Sequence, residues 1–123
     1  MEREVVQIPA ARIHGCDFCI AGHSAISLKK AGETPDTVRA LQHGQPTGDA
    51  KLDAVAAFAS AVIASRGAVA DDEYQAFLAA GYNQQQALEV VLGISLATLC
   101  NFSNSLAGTP VNAQLTPYLP GAV

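Results

Sequence analysis

Apolar residues at helical spacing, set between residues that begin and end helices, constrain this fold more than any other feature of the sequence. After Asp49 they recur three and four positions apart until Gly67: Leu52, Val55, Ala56, Ala59, Val62 and Ile63. A second series follows Asn83 and ends before Gly108: Leu88, Val91, Leu92, Leu96, Leu99 and Leu106. Because this spacing places side chains on one face of an α-helix, both segments are predicted to be amphipathic helices.

Caps and glycines outline further helices. Residues 16–31 are predicted to form one, which stops at a glycine. Thr34-Pro35-Asp36 supplies a cap and a first-turn proline for a short helix that ends near Gly44. Asp71-Asp72-Glu73 suits a helix N-terminus, where the dipole favours negative charge, and this helix runs to Gly81. The chain is therefore predicted to be a succession of helices joined by short polar turns.

The composition agrees with an all-α fold. Half of the 123 residues are hydrophobic, mostly Ala, Leu and Val, and Trp is absent. Such side chains suit closely packed helices better than a sheet sandwich. Since no repeat or shift in composition marks a second domain, we expect residues 1–123 to form one compact multi-helix bundle with an irregular tail after Val111.

Charge and the N-terminus bear on partners and location. The net charge of −4 comes from seven basic and eleven acidic residues, and the basic ones are scattered, which makes nucleic acid a poor partner. The start, Met1-Glu2-Arg3-Glu4, lacks the basic and apolar regions of a signal peptide, and no later apolar run spans a bilayer without polar breaks. We therefore expect a soluble cytoplasmic protein with no membrane partner. The helices carry more apolar surface than so short a chain can bury, so we also expect a homo-oligomer.

The residues that carry chemistry form the pattern Cys-x-x-Cys-x-x-x-His, made by Cys16, Cys19 and His23. On a helix, residues three and four apart share a face, so the three side chains can meet. The pair follows Gly15 near a predicted helix start, where free amides and the dipole lower the pKa of a thiol. His23 could take the thiol proton, and the second cysteine could close a disulfide. Closely spaced cysteines in an odd set of three indicate a redox or metal pair in a reducing compartment.

Glu4, followed by Cys-x-x-Cys and then His23, resembles the signature of the alkylhydroperoxidase AhpD-like branch of the carboxymuconolactone decarboxylase family. Similar segments are spread over most of the chain: CDFCIAGHSA with the following Lys-Lys-Ala-Gly, Gly81-Tyr82, and Asn101-Phe102-Ser103-Asn104 leading to Thr109-Pro110. The resemblance implies an all-helical bundle that assembles as homotrimers or homohexamers. It also implies a thiol-dependent peroxidase, without organic or metal cofactor, that is recycled by a thiol or protein reductant.

Positions that match the family carry implied roles. Cys19 is implied to attack the peroxide, and Cys16 to resolve the oxidised sulfur. Glu4 and His23 are implied to form a proton relay that activates the thiols.

The chain departs from the family pattern in three places. Phe18 stands where the best-studied enzymes have a second histidine, so one relay histidine is missing. Pro9 predicts that the segment from Glu4 to Cys16 is not one regular helix. Family members usually have a helix before the position of Glu4, which implies that a partner subunit covers this end or that a further segment precedes it.

Other interpretations of the same residues remain open. A zinc site would use His14, Cys16, Cys19 and His23, and the cysteines could instead be inert core thiols. Glu4 could be a solvated charge. The function could be decarboxylation of a γ-carboxymuconolactone-like acid, a branch of the family that does not depend on Cys-x-x-Cys, or a non-catalytic redox sensor or assembly module.

Four polar or sulfur-bearing side chains outside the motif have structural interpretations. Cys100, beside Leu99 on the last predicted helix, is expected to pack in the core. His14 either borders the site or is partly exposed without a ligand role. Asn101 and Asn104 are expected to satisfy buried backbone groups.

Overall fold

The computed structural model describes residues 2–123, so Met1, part of the acidic start noted above, lies outside the described residues. It contains six α-helices and one short 3-10 helix: α1 Glu2–His14, α2 Asp17–Lys29, α3 Pro35–His43, α4 Ala50–Ser65, α5 Asp71–Ala79, α6 Gln84–Ala107 and the 3-10 helix Thr116–Tyr118. Since residues 2–123 contain no strand, the prediction of an all-α bundle is confirmed.

Side-chain caps fix where α4 and α6 begin. Asp49 accepts hydrogen bonds from two first-turn amides of α4, including that of Leu52 at 3.1 Å. Asn83 and Gln86 form a reciprocal capping box, in which each side chain accepts the backbone N–H of the other residue. Caps of this kind typically stabilise a helix by about 1 kcal/mol. Gly108, with φ of 63°, ends α6 in the left-handed conformation.

Helix α1 continues through Pro9, and the prediction that this proline interrupts the segment is wrong. A proline inside a helix removes one N–H and crowds the preceding turn, which costs about 3 kcal/mol. Tertiary packing outweighs that cost because α1 is the central helix and contacts α2, α3, α4 and α6. Val5, Ile8 and Ala10 are fully buried on it. The break comes later, at Gly15, whose φ is 73°.

The main core joins α1 to α3, α4, α5 and α6. Aromatic rings fill its α4–α5 side, where Phe58 stacks on Phe77 at 4.3 Å between ring centroids and Phe77 on Tyr82 at 4.8 Å. A second, smaller cluster packs at the α1–α2 corner and contains Ala11, Cys16, Cys19 and Ile20. The two cysteines thus lie in apolar packing beside the central helix.

Helix α6 buries a narrow stripe of small and medium side chains: Ala87, Val90, Ile94, Ala97 and Asn101. Its opposite side, which we call the α6 apolar face, leaves seven large side chains at least 40% exposed: Leu88, Val91, Leu92, Leu96, Leu99, Phe102 and Leu106. The apolar face that periodicity predicted for this helix is therefore the one that points away from the chain's own core.

One expectation about α6 needs correction. Cys100 is exposed rather than packed in the core, because it lies outside the buried stripe. By length and composition, α6 is the one helix in the described part of the chain that could cross a membrane, with a mean hydropathy of 1.5 over a window that is 22% buried.

Candidate functional site

The cysteine pair lies where α1 turns into α2. Gly15 ends α1, and the backbone N–H of Cys16 donates back to Ala11 at 2.9 Å. Cys16 is the N-cap of α2, and its sulfur accepts the backbone N–H of Cys19 at 3.3 Å. A sulfur in this position meets the positive end of the helix dipole, which favours a thiolate. The prediction of a Cys-x-x-Cys motif at a helix N-terminus is confirmed.

Cys16 and Cys19 are joined as a disulfide, with their Cα atoms 5.3 Å apart. Both residues are buried, at 4% and 5% exposure, and Phe18 packs against their cluster. Because the sulfurs reach each other without moving the backbone, the pair can change between dithiol and disulfide within the same fold.

Glu4 lies in the first turn of α1 and contacts His23 of α2. Its carboxylate lies 2.6 Å from Nδ1 of His23 and 2.7 Å from Nε of Arg3. Glu4 is only 2% exposed, so its interpretation as a solvated charge is wrong. His23 is on α2, one turn after Cys19, with its side chain 26% exposed. The imidazole therefore lies between a buried carboxylate and solvent.

The charge of Glu4 follows from its partners. Burial raises the pKa of Glu4, but the hydrogen bonds and positive charges of His23 and Arg3 outweigh it, so the net pKa is lowered. The ionised carboxylate can only accept, so Nδ1 of His23 must carry the proton in their hydrogen bond. Nε2 of His23 then carries the lone pair of the neutral ring, which is what a general base needs.

Helix α6 also contributes to the site, through Asn104. Its side-chain Nδ2 lies 3.6 Å from Sγ of Cys19 and donates to the backbone oxygen of Cys100 at 2.9 Å. The second contact lies within α6 and is exposed, so it is not the buried backbone group that was predicted for this asparagine. The contact with sulfur was missed, because nothing in the local sequence links residues 85 positions apart.

The side chain of His14 contacts α6. Its Nδ1 lies 3.1 Å from Oδ1 of Asn101, and its ring meets Phe102 edge to face at 4.9 Å. Asn101 is 1% exposed, and it pairs with this imidazole rather than with the backbone. His14 therefore ties the end of α1 to α6.

The zinc interpretation finds no support in the side-chain positions. Among residues 2–123, no three Cys, His, Asp or Glu side chains are grouped so that they could hold a metal ion. Of the four ligands the interpretation requires, His14 is directed to Asn101 and His23 to Glu4.

Comparison with known families agrees with this geometry. The model of the carboxymuconolactone decarboxylase family matches residues 1–70, more than half of the chain. The match spans α1 to α4 and includes Glu4, both cysteines and His23, whereas Asn104 lies outside it. None of the curated proteins matches the chain.

Proposed function

This chain belongs to the carboxymuconolactone decarboxylase family, and we propose that it acts there as an AhpD-like, thiol-dependent peroxidase. Its substrates are hydrogen peroxide or organic hydroperoxides, and Cys16 and Cys19 cycle between dithiol and disulfide. The observation that carries the proposal is a disulfide-forming pair one helical turn from His23, whose Nδ1 lies 2.6 Å from the buried carboxylate of Glu4.

In the first step, the Cys19 thiolate attacks the terminal oxygen of the hydroperoxide. A sulfur–oxygen bond forms, the oxygen–oxygen bond breaks, and Cys19 becomes a sulfenic acid. The leaving oxygen takes a proton from His23 and departs as an alcohol, or as water when the substrate is hydrogen peroxide. Sulfur has then lost two electrons, and the peroxide has gained them.

In the second step, the Cys16 thiolate attacks the oxidised sulfur of Cys19. The disulfide forms, and hydroxide leaves and is protonated to water. In sum, two thiols and one hydroperoxide give one disulfide, one alcohol and one water. Two small-molecule thiols, or one protein dithiol, return two electrons and two protons, restore the pair and leave as a disulfide.

The Glu4–His23 pair serves proton transfer in both steps. Ionised Glu4 accepts the Nδ1 proton of His23 and thereby fixes the tautomer of the neutral ring. Nε2 is thereby available to remove a thiol proton and to return it to the leaving oxygen. This arrangement needs no second histidine at the place of Phe18.

Two alternatives belong to other classes. Decarboxylation of a γ-carboxymuconolactone-like acid would leave the bonded cysteine pair without a role. A redox sensor would form the disulfide once and use it to change stability or partner binding. It differs from a peroxidase in turnover alone.

Thiol counting and peroxide consumption test the proposal together. The reduced protein should lose two thiols per equivalent of peroxide, and mapping should link Cys16 to Cys19. With an added dithiol reductant it should consume many equivalents. Cys100→Ser is the matched control and should behave as the wild type. Disulfide formation without turnover would favour the sensor, and no loss of thiols would overturn both redox functions.

Trapping assigns the two sulfurs. In a Cys100→Ser background, Cys16→Ser should accumulate a sulfenic acid at Cys19, because the resolving thiol is gone. Cys19→Ser should stay largely unreactive. The reverse pattern would exchange the two roles.

We further propose a cytoplasmic homotrimer or homohexamer. A reducing compartment suits a cycle that must regenerate thiols. The α6 apolar face supports assembly between copies of the chain.

A further inference from the structure

Asn104 brings α6 into contact with a reacting atom. Its Nδ2 lies 3.6 Å from Sγ of Cys19, which is only 5% exposed. The other members of the site come from α1 and α2, close together in sequence. Asn104 therefore couples the last long helix to the dithiol.

The orientation of the amide is fixed by its second partner. Nδ2 of Asn104 donates to the backbone oxygen of Cys100 at 2.9 Å. If the amide were flipped, its oxygen would face that carbonyl oxygen, and two acceptors repel. The amide nitrogen, not the oxygen, therefore lies against the sulfur of Cys19, and its second N–H is available to that sulfur.

We propose that Asn104 is a catalytic residue whose side-chain N–H stabilises negative charge on the sulfur of Cys19. This inference rests on the proposed function only in assigning the attack to Cys19. A donor to the charged form of an acid favours ionisation, and a donor to an anion is stronger than one to a neutral group. The apolar cluster around Cys19 would otherwise disfavour a thiolate.

The contact also accounts for a difference between the two sulfurs. Cys16 is the N-cap and already receives the backbone N–H of Cys19 at 3.3 Å. Local geometry alone would therefore favour Cys16 as the thiolate. Asn104 supplies Cys19 with a donor of its own and makes this sulfur competent to attack.

The experiment isolates one thiol. In a Cys16→Ser, Cys100→Ser background, Cys19 is the sole thiol, and its thiolate absorbance is titrated with pH. Asn104→Ala should raise the pKa of Cys19 by about one unit, with about tenfold slower sulfenic acid formation at neutral pH. Asn104→Asp, which is nearly isosteric, should raise it further because it places a carboxylate near the sulfur. Ser103→Ala, exposed on the same helix, is the control and should change neither value.

The pH profile separates a direct effect from a structural one. Above the raised pKa, the oxidation rate of Asn104→Ala should approach that of the background, because the thiolate is then fully formed. A pKa of Cys19 that stays unchanged in both folded Asn104 variants would overturn the inference. So would an equal shift of Cys16 in the reciprocal Cys19→Ser, Cys100→Ser background.

Titration requires no turnover, so this inference and the proposed function can fail separately. A wild type that consumes no peroxide, while Asn104→Ala still raises the pKa, would remove the function and leave the role of Asn104. Full turnover by the wild type, with no change of the Cys19 pKa in Asn104→Ala, would leave the function and remove the role of Asn104.

Discussion

At the scale of single residues, the charge on Glu4 depends on two neighbouring side chains, one on its own helix and one on α2. Arg3 precedes it on α1 and is 72% exposed, whereas His23 arrives from α2. Both donate to a carboxylate that is almost completely buried. Such a buried acceptor stabilises the fold while it is ionised and paired, and weakens it when a proton displaces the donors.

Glu4→Gln should therefore lower the free energy of unfolding in a pH-dependent way. The folded-state pKa of Glu4 lies below its ordinary value of 4.5, so its contribution is complete above that pH and is lost as pH falls through the lowered pKa. We expect a loss of about 1–3 kcal/mol at neutral pH that narrows on acidification, as measured by urea unfolding. Glu73→Gln, exposed on α5, is the control. An equal loss at every pH would attribute the effect to packing.

In the proposed mechanism, Glu4 acts on sulfur through His23. His23→Ala should slow thiol oxidation and raise the apparent pKa of the reactive cysteine, since a neighbouring base or cation favours the thiolate. Glu4→Gln should do so more weakly, because the imidazole remains. His43→Ala, an exposed histidine at the end of α3, is the matched control. Oxidation rates of His23→Ala that equal those of the wild type across pH would mean that His23 only packs.

The parts of the site differ in how far the sequence alone reveals them. The spacing of Cys16, Cys19 and His23 is local, so helix geometry predicts that they share a face. Glu4 lies 19 residues from His23, and only the resemblance to a family implied their contact. Asn104 requires α6 to cross α2, an arrangement that no local pattern specifies.

At the scale of elements, helix ends were predicted well because caps and glycines act locally. The helix expected over residues 16–31 is observed as α2, Asp17–Lys29, and the acidic run begins α5 at Asp71 as expected. The continuity of α1 through Pro9 was not predictable in this way. It depends on packing against four neighbouring helices, which offsets the backbone hydrogen bond lost at the proline.

Two glycines inside helices should respond oppositely to added side chains. A Cβ on Gly93 would lie 3.3 Å from Val6, where α6 crosses α1, so Gly93→Val should lower stability by about 1–3 kcal/mol. A Cβ on Gly22 in α2 meets nothing within 4 Å, so Gly22→Ala should raise stability by about 0.5–1 kcal/mol. Thermal unfolding of both variants measures the difference. Equal effects would mean that the α1–α6 crossing tolerates a side chain.

At the scale of the whole molecule, the two sides of α6 differ in burial, and the exposed side is the feature that the fold of one chain leaves unexplained. The helix turns a stripe of small side chains inward and leaves seven large apolar ones exposed. An apolar strip of this kind is unfavourable in water and is typical of a surface that another body covers. Periodicity predicts that such a helix is amphipathic, but it does not tell which apolar face meets the chain's own core.

A second copy of the chain is the occupant we propose for the α6 apolar face. Leu92→Glu with Leu96→Glu places two charges in the middle of this face, where burial between copies would be costly. Light scattering should give a trimer or hexamer for the wild type and a smaller species for this double variant. Gln75→Glu, exposed on α5, is the control and should leave the assembly intact.

The outcome also separates assembly from membrane binding. If lipid covers the α6 apolar face, the wild type should co-sediment with phosphatidylcholine vesicles and the double variant should not. We expect no co-sedimentation, because subunits that already bury the leucines of α6 leave nothing for lipid to cover. A wild type that stays monomeric at micromolar concentration would remove the oligomer proposal, and the dithiol chemistry at the α1–α2 corner would then be that of a single chain.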